Sequence, residues 1–515
     1  MSRLKRFAHA LVSGYVVLAA NMAYTLASVP LALHYLSNAA FGLWVYTSQL
    51  AGFVALVDLG MAGSISRILI DYKDNRGSGE YGSVVRTGFL VNAVQGLLVM
   101  LVSLAGAFVP AAVLGIEPEL ERDFRWLMAG QGVLLGVNFA ARILMHVLVA
   151  HHRYDVVNCS QALSVGVSFG VAFGCFAAGL GVFSMLWGQL ASLLCTVGIQ
   201  AVGCVRQKLL PAAGQWGRVS WARFRELFDF GKDVFLFSVG SQLIFFSQTI
   251  VITRWLGLDA GAVWSVCTRT FNLGTQLVYR IFDFSCPAIA EMIVRGERER
   301  LFQRFRSIVM LTTTLGLLAA VLVAACNGSF VAWWTGGRAA WPMHDNGLLA
   351  LWLLICVVSH AHIGLVGQTK EFGFLRWIYF LEGVLFVGLS MLTVRRGGFS
   401  AMIVASITAS LVCSFPYSIW RTQRYFGLAA SEVLWDWSRP AFRLALWVAP
   451  LAAAAWLLTQ FWRVQIQFLV CSLSIGGVGA LLLLRVGLDP QLRGELSERA
   501  PGKLRPVVAW LVGKA

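Results

Sequence analysis

The sequence predicts an all-α polytopic membrane protein with about fourteen transmembrane helices. Hydrophobic residues make up 58% of the 515 residues and charged residues only 13%, and the mean hydropathy of +0.72 exceeds that of soluble globular proteins. Apolar runs of about 20 residues, the length of a membrane-crossing helix, recur along nearly the whole chain. No separate soluble domain is expected. The first run lacks a small-residue cleavage site, so we expect a retained span rather than a signal peptide.

Hydropathy and turn residues place the predicted spans in order along the chain. They cover residues 11–36, 41–68, 85–109, 126–150, 157–179, 182–204, 233–255, 262–291, 307–333, 347–367, 376–394, 399–420, 441–461 and 467–486. Most of the 41 Lys and Arg residues lie on alternate connecting segments, so the positive-inside rule predicts that both termini are cytoplasmic. Topology and anionic lipid headgroups explain the net charge of +16, and no nucleic-acid partner is expected.

The chain is predicted to form two six-helix lobes followed by two further helices. The predicted parts are an N-terminal lobe over 1–210, a basic cytoplasmic connector over 211–232, a C-terminal lobe over 233–425, and two extra spans with a cytoplasmic tail over 426–515. The segment HYLSNAAFGLW, His34–Trp44, aligns with RWLGLDAGAVW, Arg254–Trp264. Each copy bridges the first and second span of its lobe. Because six is even, the lobes would form a parallel repeat about a pseudo-two-fold axis along the membrane normal.

The eighth span, residues 262–291, carries charges at a depth where charges are expensive and usually functional. At 100° per residue its polar side chains share an arc of about 140°, and Phe271, Gly274, Val278 and Phe282 occupy the rest. The polar residues are Thr268, Arg269, Asn272, Thr275, Gln276, Tyr279, Arg280 and Asp283. A continuous polar stripe predicts a solvated cavity, and its two arginines predict that the cavity receives an anion.

Polar and small residues also share one face on the first and seventh spans. The first set is Gly14, Asn21, Thr25 and Ser28, and the second is Ser238, Ser241, Gln242, Thr249 and Thr253. Such residues either pack helices closely together or line a cavity shared with the eighth span. Both interpretations remain open at the level of sequence.

Three acidic residues lie within the predicted spans: Asp58, Asp283 and Glu382. Asp283 follows Arg280 by one helical turn, so it forms either an internal ion pair or a coupling site. Asp58 and Arg67 would lie on opposite sides of an ideal helix and should not pair unless the neighbouring glycines bend the span. Glu382 has no local partner and is either a proton- or cation-linked switch or the partner of an arginine on another span.

No cofactor and no metal site is predicted. The ten cysteines are scattered without a CxxC pair, and His360 and His362 are expected to be packing or hydrogen-bonded residues rather than ligands. No GxxxxGK[ST] loop occurs, so ATP-driven transport by this chain is not expected. The tail over residues 503–514 is expected either to lie on the inner membrane surface as an amphipathic segment or to be disordered.

Two motifs carry a resemblance to a known family. The segment DLGMAGSISR, Asp58–Arg67, preceded by AAFGLWVYTSQL, resembles bacterial polysaccharide flippases. The segment PAIAEMIVRGERERLFQRF, Pro287–Phe305, is similar to the end of the eighth span and its charged inner loop in the same family. These flippases belong to the multidrug/oligosaccharidyl-lipid/polysaccharide (MOP) exporter superfamily, with lipid II flippases and cation-coupled drug extruders. One departure is Gln248, which stands where many family members have an acidic residue.

The resemblance implies a flippase, not an enzyme, with two lobes facing each other in a V. It would move an undecaprenyl-diphosphate-linked oligosaccharide, a surface polysaccharide or O-antigen repeat unit, from the inner to the outer leaflet of a bacterial inner membrane. Its partners would be that substrate, membrane lipids, a polysaccharide polymerase and glycosyltransferases. The alternatives are a cation-coupled multidrug antiporter and a membrane glycosyltransferase or ligase that uses a polyprenyl-linked donor. A cationic cavity argues against the antiporter, and short outer segments argue against the enzyme.

Arginine suits the diphosphate of such a substrate, because its planar guanidinium binds phosphate oxygens in pairs. The first candidates for substrate binding are Arg269 and Arg280, with Asn272, Gln276 and Tyr279 on the same stripe. The second candidates are Arg67, Arg142 and Arg254. Each of this second group is placed by the sequence near the end of its span, where snorkelling to lipid headgroups competes with substrate contact.

Overall fold

Helices make up most of the structure, as the sequence predicts. The computed structural model describes residues 3–58, 61–73, 79–109, 114, 116–151, 153–339, 341–369, 373–488 and 494. No β-strand occurs within these residues, as expected of spans that must satisfy their backbone hydrogen bonds internally. Contacts divide the chain into two compact units, Met1–Ala262 and Val263–Ala515.

Among the described residues, eight α-helices lie within the first unit. These helices are α1 (Arg3–Tyr35), α2 (Asn38–Val54), α3 (Met61–Tyr72), α4 (Glu80–Ala107), α5 (Glu121–Ala150), α6 (Tyr154–Ala177), α7 (Phe183–Arg206) and α8 (Trp221–Leu256). In the turn from α1 to α2, the Ala40 amide donates a hydrogen bond to the Ser37 hydroxyl at 3.2 Å. After α8 the chain turns at Gly257, whose φ of 92° favours glycine. The next helix, α9 (Leu258–Cys267), begins at once, so both turns lie where the two aligned motifs place them.

The second predicted span is not one continuous helix. After α2 a 3₁₀ turn occupies Ala55–Asp58, and α3 starts at Met61. The Gln95 side chain on α4 fixes this break, because its Nε2 donates hydrogen bonds to the carbonyl oxygens of Val57 and Asp58 at 3.1 and 2.8 Å. From the sequence, a bend of this span was named as a condition, and the helix is interrupted next to Asp58.

The segment predicted as a basic connector packs against the first turns of α4. Arg86 Nη1 on α4 donates a hydrogen bond to the carbonyl oxygen of Gly217 at 3.2 Å. The last part of this segment is already helical, because α8 begins at Trp221. Only the later part of α8, Phe235–Leu256, is apolar and long enough to cross a membrane.

The helix α8 packs against α2 and α3 and therefore falls within the first unit. Next to this contact, Gly42 on α2 lies against the carbonyl oxygen of Leu258, the first residue of α9, and a Cβ at residue 42 would overlap that oxygen. The sequence repeat instead assigned the same helix, over 233–255, to a second lobe. The division into parts at 1–210, 211–232, 233–425 and 426–515 stays a prediction.

The second unit is built around two clusters of buried side chains. Its helices are α10 (Arg269–Val294), α11 (Arg298–Trp334), α12 (Met343–Gln368), α13 (Leu375–Val412), α14 (Ser414–Phe426), α15 (Arg439–Thr459) and α16 (Val464–Leu482). One cluster contains Phe282, Phe305 and Trp437. The other contains Leu444 and Ile475, through which α15 and α16 pack against α11. The two additional helices predicted near the C-terminus therefore pack as part of this unit.

The helix α13 folds back on itself at Gly398, whose φ of 58° and ψ of −142° are not helical. Residues on either side of this glycine face each other, since the Ser390 hydroxyl hydrogen-bonds Met402 Sδ at 3.5 Å. The two halves are thus antiparallel. The prediction of separate spans at 376–394 and 399–420 is confirmed.

Each predicted span coincides with one of these helices or with a pair separated by a break. Within the described residues, ten stretches are long and apolar enough to cross a membrane, and one of them, Leu375–Phe426, contains the hairpin at Gly398. The other predicted spans correspond to α1 and to the interrupted pairs α2–α3 and α9–α10. The all-α polytopic fold class is confirmed, with about fourteen spans as an approximate count.

Candidate functional site

A polar cavity of about 790 Å³ lies inside the first unit, between α1, α2, α5, α6 and α7. Six carboxamides line it: Asn21, Gln131, Asn138, Gln161, Gln189 and Gln200. Serine and threonine hydroxyls and the Tyr24 ring add to the polar lining, and among the described residues Arg142 is the only charged one that lines the cavity. Polar side chains on membrane-spanning helices must face water, a protein partner or a ligand. The cavity therefore has a mixed lining, in which these polar groups lie beside apolar side chains such as Leu134, Leu135 and Val165.

Arg142 forms an ion pair across the wall of this cavity. Its Nη1 lies 3.6 Å from Asp58 Oδ1, and both side chains are about a quarter exposed, at 24% and 23%. Its guanidinium carbon also lies 4.0 Å from the centre of the Phe139 ring. The helix α5 ends at Ala150, where the sequence predicted the end of this span, and whether Arg142 contacts substrate stays a prediction.

The break in the second span explains why Asp58 reaches Arg142. The 3₁₀ turn before α3 ends at Asp58, so this carboxylate does not follow the helical geometry assumed from the sequence. Arg67, which was expected not to pair with Asp58 unless the span bends, lies on α3, but its side chain is outside the described residues. Asp58 therefore pairs with α5 and partly neutralises the one charged residue that lines the cavity.

In the second unit, the predicted polar stripe of α10 divides into an exposed and a buried part. Gln276, Arg280 and Asp283 are exposed. Thr275, by contrast, is 7% exposed and donates its hydroxyl proton to the Phe271 carbonyl of its own helix at 3.0 Å. The face opposite is packed, as predicted: Phe271, Val278 and Phe282 are all buried. Asn272 is half-buried. Whether the stripe lines a cavity stays a prediction.

Asp283 pairs with a histidine of another helix. His360 Nε2 on α12 lies 3.0 Å from Asp283 Oδ1, and the His360 ring stacks on Tyr279 with 3.7 Å between ring centres. Among the described residues Arg280 takes part in no ion pair or hydrogen bond, so the internal Arg280–Asp283 pair considered from the sequence is not formed. His360, expected to be a packing or hydrogen-bonded residue, is hydrogen-bonded.

The remaining charged candidates are held in different ways. Glu382 is 3% exposed and accepts hydrogen bonds from the Ser410 hydroxyl at 2.7 Å and from the Ser414 amide at 3.1 Å. It thereby caps the start of α14. Neither bond involves an arginine of another span, which was one of the two alternatives that the sequence left for Glu382. Arg269 begins α10 and is half-buried.

Arg254 lies near the end of α8, where the sequence placed it, and its side chain is exposed beside the Trp255 ring, 5.3 Å from the ring centre. Gln248, the residue that departs from the family pattern, is 7% exposed and donates to the Ile244 carbonyl of its own helix at 2.9 Å. Neither residue lines the cavity of the first unit. These two positions therefore contribute nothing to the polar wall described above.

Long apolar helices around a cavity that carries polar side chains are typical of a membrane transport protein. The match to a family is more specific: the profile of the family described as "Polysaccharide biosynthesis protein" matches residues 34–336, which is more than half of the chain. The chain therefore belongs to the polysaccharide biosynthesis protein family. No curated protein matches it in sequence.

Solved structures of the MOP superfamily share the fold. The lipid II flippase MurJ in an inward closed conformation is 11% identical with a TM-score of 0.64, covering 92% of this chain and 99% of that chain. An inward-facing multidrug resistance MATE family transporter is 15% identical with a TM-score of 0.60, covering 78% and 98%. A MOP superfamily transporter from Pyrococcus furiosus is 15% identical with a TM-score of 0.55, covering 83% and 96%. The polysaccharide family predicted from two sequence motifs is confirmed by the profile match, and the fold that the resemblance implies is shared with these structures.

Proposed function

We propose that the chain is a flippase that moves an undecaprenyl-diphosphate-linked oligosaccharide from the inner to the outer leaflet of a bacterial inner membrane by alternating access. The oligosaccharide is the repeat unit of a surface polysaccharide, built by glycosyltransferases and consumed by a polymerase. The protein itself forms and breaks no covalent bond. Both termini lie in the cytoplasm, in agreement with the distribution of Lys and Arg.

The observation that carries this proposal is the polar cavity among the spanning helices of the first unit. A glycan headgroup cannot cross hydrocarbon without polar partners that replace its hydration, and carboxamides and hydroxyls supply both donors and acceptors. Two comparisons support the substrate class. The family is one of polysaccharide biosynthesis, and one protein of similar fold is a lipid II flippase.

The diphosphate is assigned to arginines of α10. Arg280 is exposed and, within the described residues, has no ion pair or hydrogen bond, so its five N–H donors are available to phosphate oxygens. Arg269 lies at the first position of the same helix, where the helix dipole also favours an anion. We assign Arg142 a lesser part, because Asp58 already balances its charge.

Any coupling ion is assigned to Asp283 rather than to Glu382. The Asp283 side chain is exposed and pairs with His360, whose imidazole is also a proton-exchanging group. Glu382 is enclosed and bonded to Ser410 and to a helix N-terminus, which is the arrangement of a structural carboxylate. Asp58 serves its ion pair with Arg142.

The proposal is tested by asking which ligand binds. The purified protein in lipid nanodiscs is mixed with undecaprenyl diphosphate carrying an oligosaccharide, or with a cationic dye, and complexes are counted by native mass spectrometry. We expect the lipid diphosphate to bind. Arg280→Ala should weaken this binding about ten- to a hundred-fold, the worth of one charge-assisted contact, and Arg280→Lys should restore part of it.

The matched control is Arg463→Ala, which removes an exposed arginine beyond the end of α15 and should leave binding unchanged. Binding of the dye in preference to the lipid diphosphate would favour the multidrug antiporter instead. Equal loss of affinity in Arg280→Ala and Arg463→Ala would contradict the assignment of the diphosphate to α10.

A further inference from the structure

Three carboxamides in the cavity of the first unit have no partner among the residues that the structure describes. Asn138 on α5, Gln161 on α6 and Gln189 on α7 line the cavity and are exposed in it. Within the described part of the chain, none of their side chains makes a hydrogen bond. They come from three different helices, each of which is long and apolar enough to span a membrane. A common space therefore collects three unused amide groups.

Two other amides of the same wall bind neighbouring helices through their Nε2 groups. Gln131 Nε2 donates to the hydroxyls of Thr47 and Ser48 at 3.3 and 3.2 Å. Gln200 Nε2 donates to the Ser160 hydroxyl at 3.1 Å. Bonds between helices thus account for the Nε2 groups of these two glutamines. They do not account for the three free carboxamides, whose polar atoms are available to a ligand or to water.

The chemistry of the wall selects a neutral ligand with many hydroxyl or amide groups. Each free carboxamide offers two N–H donors and one carbonyl acceptor without charge. Within the described ranges the lining contains no acidic residue and one basic residue, Arg142, which Asp58 balances. A cationic ligand would find no carboxylate in the lining, and an acidic ligand would find no free cation. The Tyr24 ring, packed edge-on against Phe169 at 6.4 Å, adds an apolar surface.

The size of the cavity fits part of a substrate rather than the whole. Its volume of about 790 Å³ lies within the range of roughly 300–1,000 Å³ that is typical of small-ligand sites. A short run of sugar rings fits such a space, and a polyprenyl chain is far too long for it. Lipid tails in any case prefer the apolar exterior of the bundle.

We propose that this cavity is a binding site for neutral, hydroxyl- and acetamido-bearing sugars of the transported oligosaccharide, held by Asn138, Gln161 and Gln189. The inference rests on the proposed flippase function and adds the glycan chemistry to it. The proposed function assigns the diphosphate to the arginines of α10. Recognition of the sugars and recognition of the phosphates are therefore separable properties of the protein.

The test compares two lipids that differ only in the sugars. One is undecaprenyl diphosphate alone, and the other is the same lipid carrying a neutral N-acetylated trisaccharide. Affinities for the full-length protein in nanodiscs are measured by native mass spectrometry. We expect the wild type to bind the glycosylated lipid more tightly. Asn138→Leu, Gln161→Leu and Gln189→Leu should each reduce that preference about two- to tenfold, with unchanged affinity for the bare lipid.

Retained affinity for the bare lipid shows that each variant is folded. The matched control, Gln465→Leu, removes an exposed carboxamide near the start of α16, outside the cavity, and should retain the full preference. The sugar site is overturned, with the flippase proposal intact, if the wild type binds both lipids equally or if the three variants keep the preference. Stronger binding of a uronic-acid trisaccharide lipid also overturns it. If the wild type binds neither lipid, both proposals fail.

Discussion

The Asp58–Arg142 pair offers the most quantitative test of the structure. The perturbation is Asp58→Asn, which removes the countercharge of Arg142 while keeping the side-chain volume. At the observed 3.6 Å and an effective dielectric constant of about 20, the Coulomb attraction is about 4–5 kcal/mol. Both side chains are about a quarter exposed, and the pair was desolvated when it formed, so the net coupling is smaller. We expect about 1–3 kcal/mol.

The assay is a double-mutant cycle over Asp58→Asn, Arg142→Gln and the combined variant. The free energy of unfolding in mixed micelles is measured for each protein by tryptophan fluorescence. Asp58→Asn should be more destabilising than the combined variant, because only the single change leaves Arg142 without its partner. The reasoning is refuted if the two single effects add to within about 0.5 kcal/mol, the value typical of residues that do not interact.

Three further predictions follow from helix faces, close contacts and topology. In a cysteine-free background, Gln276→Cys on α10 should react with a polar thiol reagent and Val278→Cys should not; equal labelling would contradict the assignment of faces. Gly42→Ala should lower the melting temperature, because its Cβ would overlap a carbonyl oxygen, whereas Gly166→Ala, with open space around it, should raise or barely change it; similar melting temperatures for both would refute the close contact. A reporter fused at Gly214 should be active on the cytoplasmic side, and a periplasmic signal would contradict the topology.

Local patterns in the sequence were sufficient for the fold class and most spans. The two spans before and after Gly398 could be separated because apolar runs on both sides flank a basic and glycine-rich interruption, and the glycine does reverse the chain there. From the sequence, the break beside Asp58 could be named only as a condition, namely that the neighbouring glycines bend the span. It depends on Gln95, a residue of another helix that binds the carbonyl groups of the turn, and no helical periodicity contains that information.

The candidate site was predicted less completely, because the sequence analysis concentrated on charged residues. It considered Arg142 and Asp58 separately, but their pairing joins distant segments and cannot be found from spacing. It left Asn21 open between packing and cavity, and the structure places this residue in the cavity wall. The free carboxamides were missed, although a signal existed on α7. One face of α7 carries a polar stripe at helical spacing, formed by Gln189, Ser192, Thr196 and Gln200.

The partner of Asp283 shows the same limit of local reasoning. Spacing on α10 brought Arg280 close to it along the helix, but the side chain bonds to His360 on α12 instead. Asp283 pairs with His360 because α12 lies next to α10. The sequence alone does not show which face of α12 is turned toward α10. The pairing leaves Arg280 available, which supports the assignment of the diphosphate.

The most direct test of the flippase account is a measurement of transport between leaflets. The protein is reconstituted in liposomes with undecaprenyl diphosphate carrying a fluorescent neutral oligosaccharide, and a membrane-impermeant glycosidase is added outside. The account predicts that wild-type protein exposes the glycan of the inner leaflet to the enzyme faster than protein-free liposomes do, and that Arg280→Ala abolishes this gain while Arg463→Ala retains it. Cleavage that stops at the outer-leaflet fraction with wild-type protein would contradict the account.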